Sequence, residues 1–121
     1  MKQKELKIMY KDFRHYFCPE MPKEIEVKIT RATSYLGCAV VYRDPTEFVV
    51  HYGKPLMVEW MKINPKRITW ESVMLHEMCH IWQEIKIPKD KGMHPPRFID
   101  KLRAVERLTG IPQYWDFELY N

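Results

Sequence analysis

The spacing of apolar residues along the chain predicts one helix, then three strands, then further helices. Between residues 3 and 17 apolar side chains recur every three or four positions, as in an amphipathic helix. Pro19 and Pro22 end that pattern. Residues 24–30 then alternate strictly between polar and apolar side chains, which indicates a strand with one buried face.

Two more strands are predicted at residues 35–43 and 46–52, which are rich in Val, Tyr and Phe. The turn-forming pair Asp44 and Pro45 joins them. Because the connections are too short for a crossover helix, we expect the three strands to form an antiparallel meander.

Helical patterns fill the second half of the chain. A short helix at residues 55–61 precedes Asn64 and Pro65, and a longer helix should run from a cap at Thr69 to about residue 85. After a polar loop, residues 97–109 predict a last helix with Gly110 as its C-terminal cap. Its inner stripe is expected to contain Phe98, Leu102, Val105 and Leu108.

The predicted fold class is therefore α+β, in a single domain over residues 1–121. An N-terminal helix is followed by a small three-stranded antiparallel sheet, and the last two helices pack on that sheet. A content of 45% hydrophobic and 13% aromatic residues is typical of a folded globular protein. With no signal-peptide pattern and no stretch long enough to span a bilayer, we expect a cytoplasmic protein.

Three cysteines, Cys18, Cys38 and Cys79, are far apart and form no CxxC pair. This spacing argues against a disulfide framework and against a cysteine-based zinc ribbon. Each is interpreted as a small buried residue, and Cys79 should point away from the face that His76 and His80 share.

The segment from His76 to His80 reads HEMCH, an HExxH motif in the predicted helix over residues 69–85. Residues four apart on a helix project from the same face, so both imidazoles can reach one metal ion. The motif therefore predicts one catalytic zinc ion. Zinc lowers the pKa of its bound water towards about 7, and Glu77 can act as general base and then return the proton to a leaving amine.

A catalytic zinc ion usually has three protein ligands and one open position. The metzincin pattern would require glycine at 83 and histidine at 86, but Gln83 and Lys86 stand there, so that class is excluded. His94, at the end of the loop after the motif, is favoured as third ligand. Asp100 and Glu106 are the alternatives, and His15 and His51 are interpreted as surface or strand residues.

Basic residues are concentrated after the motif. The chain has a formal net charge of +4, and the segment 86–107 has an excess of the same size. Such a surface suits single-stranded DNA or an acidic substrate, although a solvated helix face is an equal alternative. The basic residues are Lys86, Lys89, Lys91, Arg97, Lys101, Arg103 and Arg107.

Three segments resemble the SprT-like domain, the protease domain of Spartan. They are ESVMLHEMCH at 71–80, GMHPPRF at 92–98 and LTG at 108–110. The resemblance implies that His76, His80 and His94 bind zinc and that Glu77 is the catalytic base. It also implies a substrate class, proteins crosslinked to DNA, with activation by DNA.

The sequence departs from the family pattern at Pro95, where a glycine usually follows the third histidine. Proline stiffens the chain there, and we expect it to affect how substrate enters or how His94 approaches the metal. Because the sequence ends at Asn121 without a zinc ribbon, we expect any DNA recognition to come from this domain.

Three functional hypotheses remain open. The first is a zinc endopeptidase acting on DNA-bound or DNA-crosslinked proteins, and the second is a peptidase with a dedicated protein target independent of DNA. The third is a non-enzymatic zinc-containing module that binds DNA or protein. Four tryptophans could stack on bases in such a module but are interpreted as core residues, namely Trp60, Trp70, Trp82 and Trp115.

Overall fold

The computed structural model describes residues 1–42 and 47–113. This part of the chain is α+β, as the sequence predicts. The helices are α1 (Gln3–Phe13), α2 (Lys54–Ile63), α3 (Trp70–Lys86) and α4 (Pro96–Thr109), with a 3₁₀ helix at Arg14–Tyr16. The strands are β1 (Glu26–Thr30), β2 (Gly37–Val41) and β3 (Phe48–Gly53).

The sheet is mixed, so the predicted antiparallel meander is wrong. Its strand order is β1-β3-β2, with β3 in the middle. The strands β2 and β3 pair antiparallel, with Ala39 opposite Val50, as expected for neighbours along the chain. In contrast, β1 pairs with β3 in parallel, with Val27 also opposite Val50.

Gly53, at the end of β3, explains how the short segment between β1 and β2 can cross β3. This crossing leaves β1 parallel to β3. The segment 31–36 leaves β1 and passes over the end of β3 to reach the far edge of the sheet. The Gly53 N–H donates a hydrogen bond to the Leu36 carbonyl at 3.1 Å. A Cβ at Gly53 would lie 2.1 Å from the Tyr35 carbonyl oxygen, so only glycine permits this crossing without a backbone shift.

The first helix is shorter than its apolar pattern suggests. It ends at Phe13, where the 3₁₀ helix begins, although the predicted helix continued to residue 17. The Arg14 guanidinium donates hydrogen bonds to the carbonyls of Pro19 and Met21, and Tyr10 donates to the carbonyl of Pro22. These bonds satisfy carbonyls in the turn that follows and hold it against α1.

The helix α3 is the central element, in contact with α1, β2, β3 and α4. Thr69 caps it as predicted, because the Ser72 N–H donates to the Thr69 hydroxyl at 3.0 Å and the Thr69 N–H donates to the Ser72 hydroxyl at 2.8 Å. Most side chains from residue 72 to residue 81 are buried. A helix buried on nearly all sides can place polar groups deep in the protein.

The last helix, α4, packs mainly against α3. Phe98, Leu102 and Val105 are fully buried, as predicted, whereas Leu108 is 67% exposed and lies off the inner stripe. Gly110 adopts a left-handed conformation with φ of 72° and caps the helix as expected.

Three of the four tryptophans behave as core residues, since Trp60, Trp70 and Trp82 pack partly buried against the main hydrophobic cluster. The predicted turn at Asp44 and Pro45, and also Trp115, lie outside the described residues. Among the helices that the structure describes, none has the length and apolar character needed to cross a membrane.

Candidate metal centre

The first two predicted ligands, His76 and His80, lie one turn apart on α3. Their ring centroids are 5.0 Å apart, and the rings meet edge to face. His76 is buried and His80 is half-buried. The pair is therefore mostly enclosed by protein, with His80 partly accessible to solvent.

His94 joins them from the loop between α3 and α4. Its Nε2 atom is 3.2 Å from Nε2 of His76, and its ring centroid is 5.2 Å from that of His80. Two nitrogens bound tetrahedrally to one ion at about 2.0–2.1 Å stand roughly 3.3 Å apart, so the spacing suits a shared ion. One ring nitrogen from each histidine lies within 4.8 Å of the others, and this group could hold a metal ion.

Phe98, in the first turn of α4, packs against all three imidazoles. Its ring stacks on His80 at a centroid distance of 4.5 Å, and its centroid is 5.1 Å from His94 and 5.6 Å from His76. Phe98 is itself fully buried. It thus forms an apolar wall that keeps the three rings in place and excludes water from that side.

Burial favours the neutral form of His80 and of His94. It lowers the pKa of His80 to about 4, an effect that a hydrogen bond to Gln83 partly opposes. Burial also lowers the pKa of His94 below its ordinary value. Neutral imidazoles have a ring lone pair free for a metal at pH 7.

Glu77 lies on α3 beside His76 but outside the group of three. Its side chain is only 5% exposed, and burial raises its pKa to about 8. The backbone N–H of Ala39 in β2 donates a hydrogen bond to the carboxyl group and opposes that rise. The carboxyl group is thus buried against β2, one residue after His76 along the helix.

The alternative ligands do not join this group. Asp100 is exposed on α4, and the Glu106 carboxylate accepts a hydrogen bond from the Gln113 N–H at 2.6 Å. His51 lies in β3, and His15 lies exposed in the 3₁₀ helix. Cys79 is also outside it, since its buried thiol points at the Phe98 carbonyl at 3.7 Å.

Gln83 also belongs to this site, although the sequence did not predict it. Position 83 was considered only because the metzincin pattern requires glycine there. Its Oε1 atom is 3.2 Å from Nδ1 of His80, and its Nε2 atom donates to the Gly92 carbonyl at 3.1 Å. The spacing of three residues from His80 was the available signal, since such residues are neighbours on a helix.

The basic residues after the motif do not form one uniform surface. Lys86 forms an ion pair with Glu20 at 2.8 Å, and the Nε atom of Arg97 donates to Asp90 at 2.8 Å. The ammonium of Lys101 lies 5.8 Å from the ring centroid of Phe17 and 5.7 Å from that of Trp82. Lys89, Lys91, Arg103 and Arg107 are exposed.

Pro95 has a defined place in the fold. It is buried, directly follows His94 and is the N-cap residue of α4, where its carbonyl accepts a hydrogen bond from the Ile99 N–H at 3.1 Å. Proline at this position therefore leads the chain from the third histidine straight into the helix.

In comparisons with protein families, curated proteins and solved structures, nothing matches this chain.

Proposed function

We propose that this protein is a zinc-dependent endopeptidase of the SprT-like type, with Glu77 as general base. The observation that carries the proposal is the convergence of three imidazoles from two segments, with the buried carboxyl group of Glu77 on the same helix but outside that group. A structural metal site has no need of such a carboxyl group. His80 and His94 remain partly exposed, which fits a zinc ion that keeps one position for water.

When bound, zinc supplies Lewis-acid activation of water and of a substrate carbonyl. Glu77 accepts the proton from the attacking water and delivers it to the leaving amine. Burial favours the protonated form of Glu77, and a cation held by the neighbouring histidines favours the ionised form. The two effects oppose each other, which suits a group that must gain and lose a proton.

The free edge of β2 supports a peptide as the substrate. Within the described sheet β2 pairs only with β3, so the backbone groups of its other edge are not paired with a strand, although the Ala39 N–H donates to Glu77. The hydrogen bond from the Ala39 N–H places that edge at Glu77. An extended peptide that pairs with β2 would pass beside the general base, with chain continuing in both directions, as an endopeptidase requires.

The DNA-bound substrate class is supported by the loop that contains His94. Lys89 and Lys91 are exposed on this loop, within a few residues of the proposed ligand. A nucleic-acid backbone bound there would hold an attached protein near the metal centre. The ion pairs of Lys86 and Arg97 favour a second candidate, a peptidase with a protein target independent of DNA, because they neutralise part of the basic segment.

Metal analysis of the wild type and His94→Ala tests the ligand set. We expect one zinc ion per wild-type chain and a large loss of zinc in His94→Ala. Full zinc retention in the variant would remove His94 from the proposed ligands.

Cleavage of an unstructured protein by the zinc-loaded enzyme tests the role of Glu77. We expect Glu77→Gln to bind zinc but to lose activity by about 10² to 10⁴-fold, because the amide cannot accept the proton. Glu84→Gln, at an exposed position of the same helix, is the matched control and should cleave like the wild type. Zinc binding without cleavage of any substrate would instead favour the non-enzymatic module.

Cleavage of a DNA-crosslinked protein, with and without added single-stranded DNA, separates the two peptidase candidates. The DNA-dependent enzyme should be stimulated by DNA, less so as salt rises, and should lose the stimulation in the double variant Lys89→Ala with Lys91→Ala. The pair Lys62→Ala with Lys66→Ala, outside the loop, is the control. A rate indifferent to DNA and salt would contradict the DNA-linked proposal and favour the dedicated peptidase.

A further inference from the structure

Gln83 connects the two segments that contain the three histidines, α3 and the loop between α3 and α4. It belongs to α3, one turn after His80, and its side chain is 8% exposed. One end of its amide faces Nδ1 of His80 at 3.2 Å, and the other faces the carbonyl of Gly92 at 3.1 Å. Gly92 lies two residues before His94, in the loop between α3 and α4.

The hydrogen-bonding partners determine which way the amide points. A backbone carbonyl can only accept, so the NH₂ group of Gln83 must face Gly92. The amide oxygen then faces His80, and because that oxygen can only accept, Nδ1 of His80 must donate. A neutral imidazole has one N–H, so a proton on Nδ1 leaves the lone pair on Nε2.

The same amide restrains the loop that contains the third histidine. Gly92 has φ of 94°, a conformation that favours glycine, and its carbonyl is held by the Gln83 amide. A single buried side chain thus connects the second histidine to the segment that positions the third.

We propose that Gln83 is a positioning residue of the metal centre. It holds His80 as the Nδ1–H tautomer, with Nε2 directed to the metal, and it fixes the loop from which His94 reaches the same ion. Residues that orient metal-binding histidines through their second nitrogen contribute about 10 to 100-fold in metal affinity. The inference rests on the metal-binding part of the proposed function and not on peptide hydrolysis.

The tautomer of His80 can be measured in the metal-free wild type by imidazole nitrogen NMR near neutral pH. We expect the proton of His80 on Nδ1. In Gln83→Leu, which removes the acceptor, the Nδ1–H signature should be lost or reduced. A wild-type His80 with its proton on Nε2 would overturn the inference, whether or not the variant folds.

Zinc affinity, measured by competition with a chelator, provides the second readout. Gln83→Leu should bind zinc about 10 to 100-fold more weakly than the wild type. Gln83→Glu keeps an acceptor for His80 but cannot donate to Gly92, so its affinity should fall between the two. Glu84→Leu, an exposed neighbour on the same helix, should match the wild type.

The two proposals fail in different ways. Equal zinc affinity in the wild type and Gln83→Leu would overturn the positioning role, even if the enzyme cleaves peptides. Weak zinc binding by Gln83→Leu, beside a wild type that binds zinc and cleaves nothing, would support the positioning role and overturn the peptidase.

Discussion

At the scale of single residues, the most constrained contact of the site is between Gly37 and α3. A Cβ at Gly37 would lie 2.5 Å from Cγ1 of Val73 and 3.0 Å from Oε2 of Glu77. Real Cβ atoms essentially never approach another atom to 2.5 Å, so the Val73 side chain or the backbone that holds it would have to shift, and Glu77 would be crowded as well. The absence of a side chain at Gly37 is therefore what lets the strand lie against Glu77.

Gly37→Ala should destabilise the protein by about 1–3 kcal/mol, because the added methyl group overpacks a buried contact. The free energy of unfolding in urea measures this effect. We also expect the zinc-loaded variant to lose peptidase activity, because Glu77 is displaced.

Cys38→Ala is the matched control for Gly37→Ala. Cys38 is the next residue of β2, so its side chain points to the opposite face of the sheet, and it is half-buried. A Gly37→Ala variant as stable and as active as Cys38→Ala would contradict the proposed contact.

At the scale of elements, side chains from both flanking helices hold the loop between α3 and α4. Gln83 on α3 holds Gly92, and Arg97 on α4 pairs with Asp90. The Asp90 N–H also donates to the Ile87 carbonyl at 3.0 Å. His94 follows these restrained residues and lies just before α4, which explains how a loop residue keeps a defined position.

The Asp90–Arg97 pair predicts a pH-dependent stability difference. The hydrogen bond from Arg97 lowers the pKa of the Asp90 carboxyl below its ordinary value of about 3.9. A lowered pKa stabilises the fold in full above that ordinary value, and the effect is lost as pH falls through the lowered pKa. Asp90→Asn should therefore unfold at a slightly lower temperature at pH 6, with the difference shrinking as pH falls through the lowered pKa of Asp90.

A double-mutant cycle provides the control for this pair. In an Arg97→Ala background, Asp90→Asn should have little effect on the unfolding temperature at any pH. The same shift in both backgrounds would mean that Asp90 stabilises the loop through other contacts.

At the scale of the whole molecule, the candidate metal centre joins parts of the chain that local structure does not connect. His76 and His80 belong to α3, His94 belongs to the loop before α4, and β2 contributes the N–H group at Glu77. An ion held by these histidines would crosslink α3 to that loop. Because the unfolded chain has no such arrangement, metal binding should stabilise the fold.

Zinc at 100 times its dissociation constant should raise the free energy of unfolding by about 2.7 kcal/mol. For a chain of this length the corresponding rise in unfolding temperature is roughly 10 °C. A thermal scan with and without zinc measures it. His94→Ala should lose most of the shift, whereas His15→Ala, at an exposed position outside the group, should keep it. Equal shifts in all three proteins would place the zinc elsewhere.

Local patterns were sufficient for much of the fold. The spacing of His76 and His80 placed both rings on one face, and Thr69 and Gly110 are caps where the sequence predicts them. His94 also joins the other histidines, as expected from its place at the end of the loop. The histidine pair and the caps depend on residues close together in the chain, where helix geometry determines the result, whereas the position of His94 depends on the loop that follows α3.

The errors in strand pairing and in the buried stripe of α4 concern contacts between distant residues. Alternation identified β1 but could not tell which strand it pairs with, since that depends on Gly53 and the backbone of residues 31–36. The apolar repeat also placed Leu108 on the buried stripe of α4, although α3 does not cover that position. Periodicity shows which side of an element can be buried, but not how far its neighbour extends.

The sequence by itself determined the class of fold and the HExxH helix. It also indicated which three histidines lie together in the structure. Only the tertiary structure decided the strand order, the contact of Glu77 with β2 and the link from Gln83 to Gly92. The elements and the two histidines of α3 follow from backbone geometry repeated every few residues, and His94 was expected from its place at the end of the loop after α3. The features that the tertiary structure decided depend on packing, where the space left by a glycine or the reach of one amide determines which distant segments can meet.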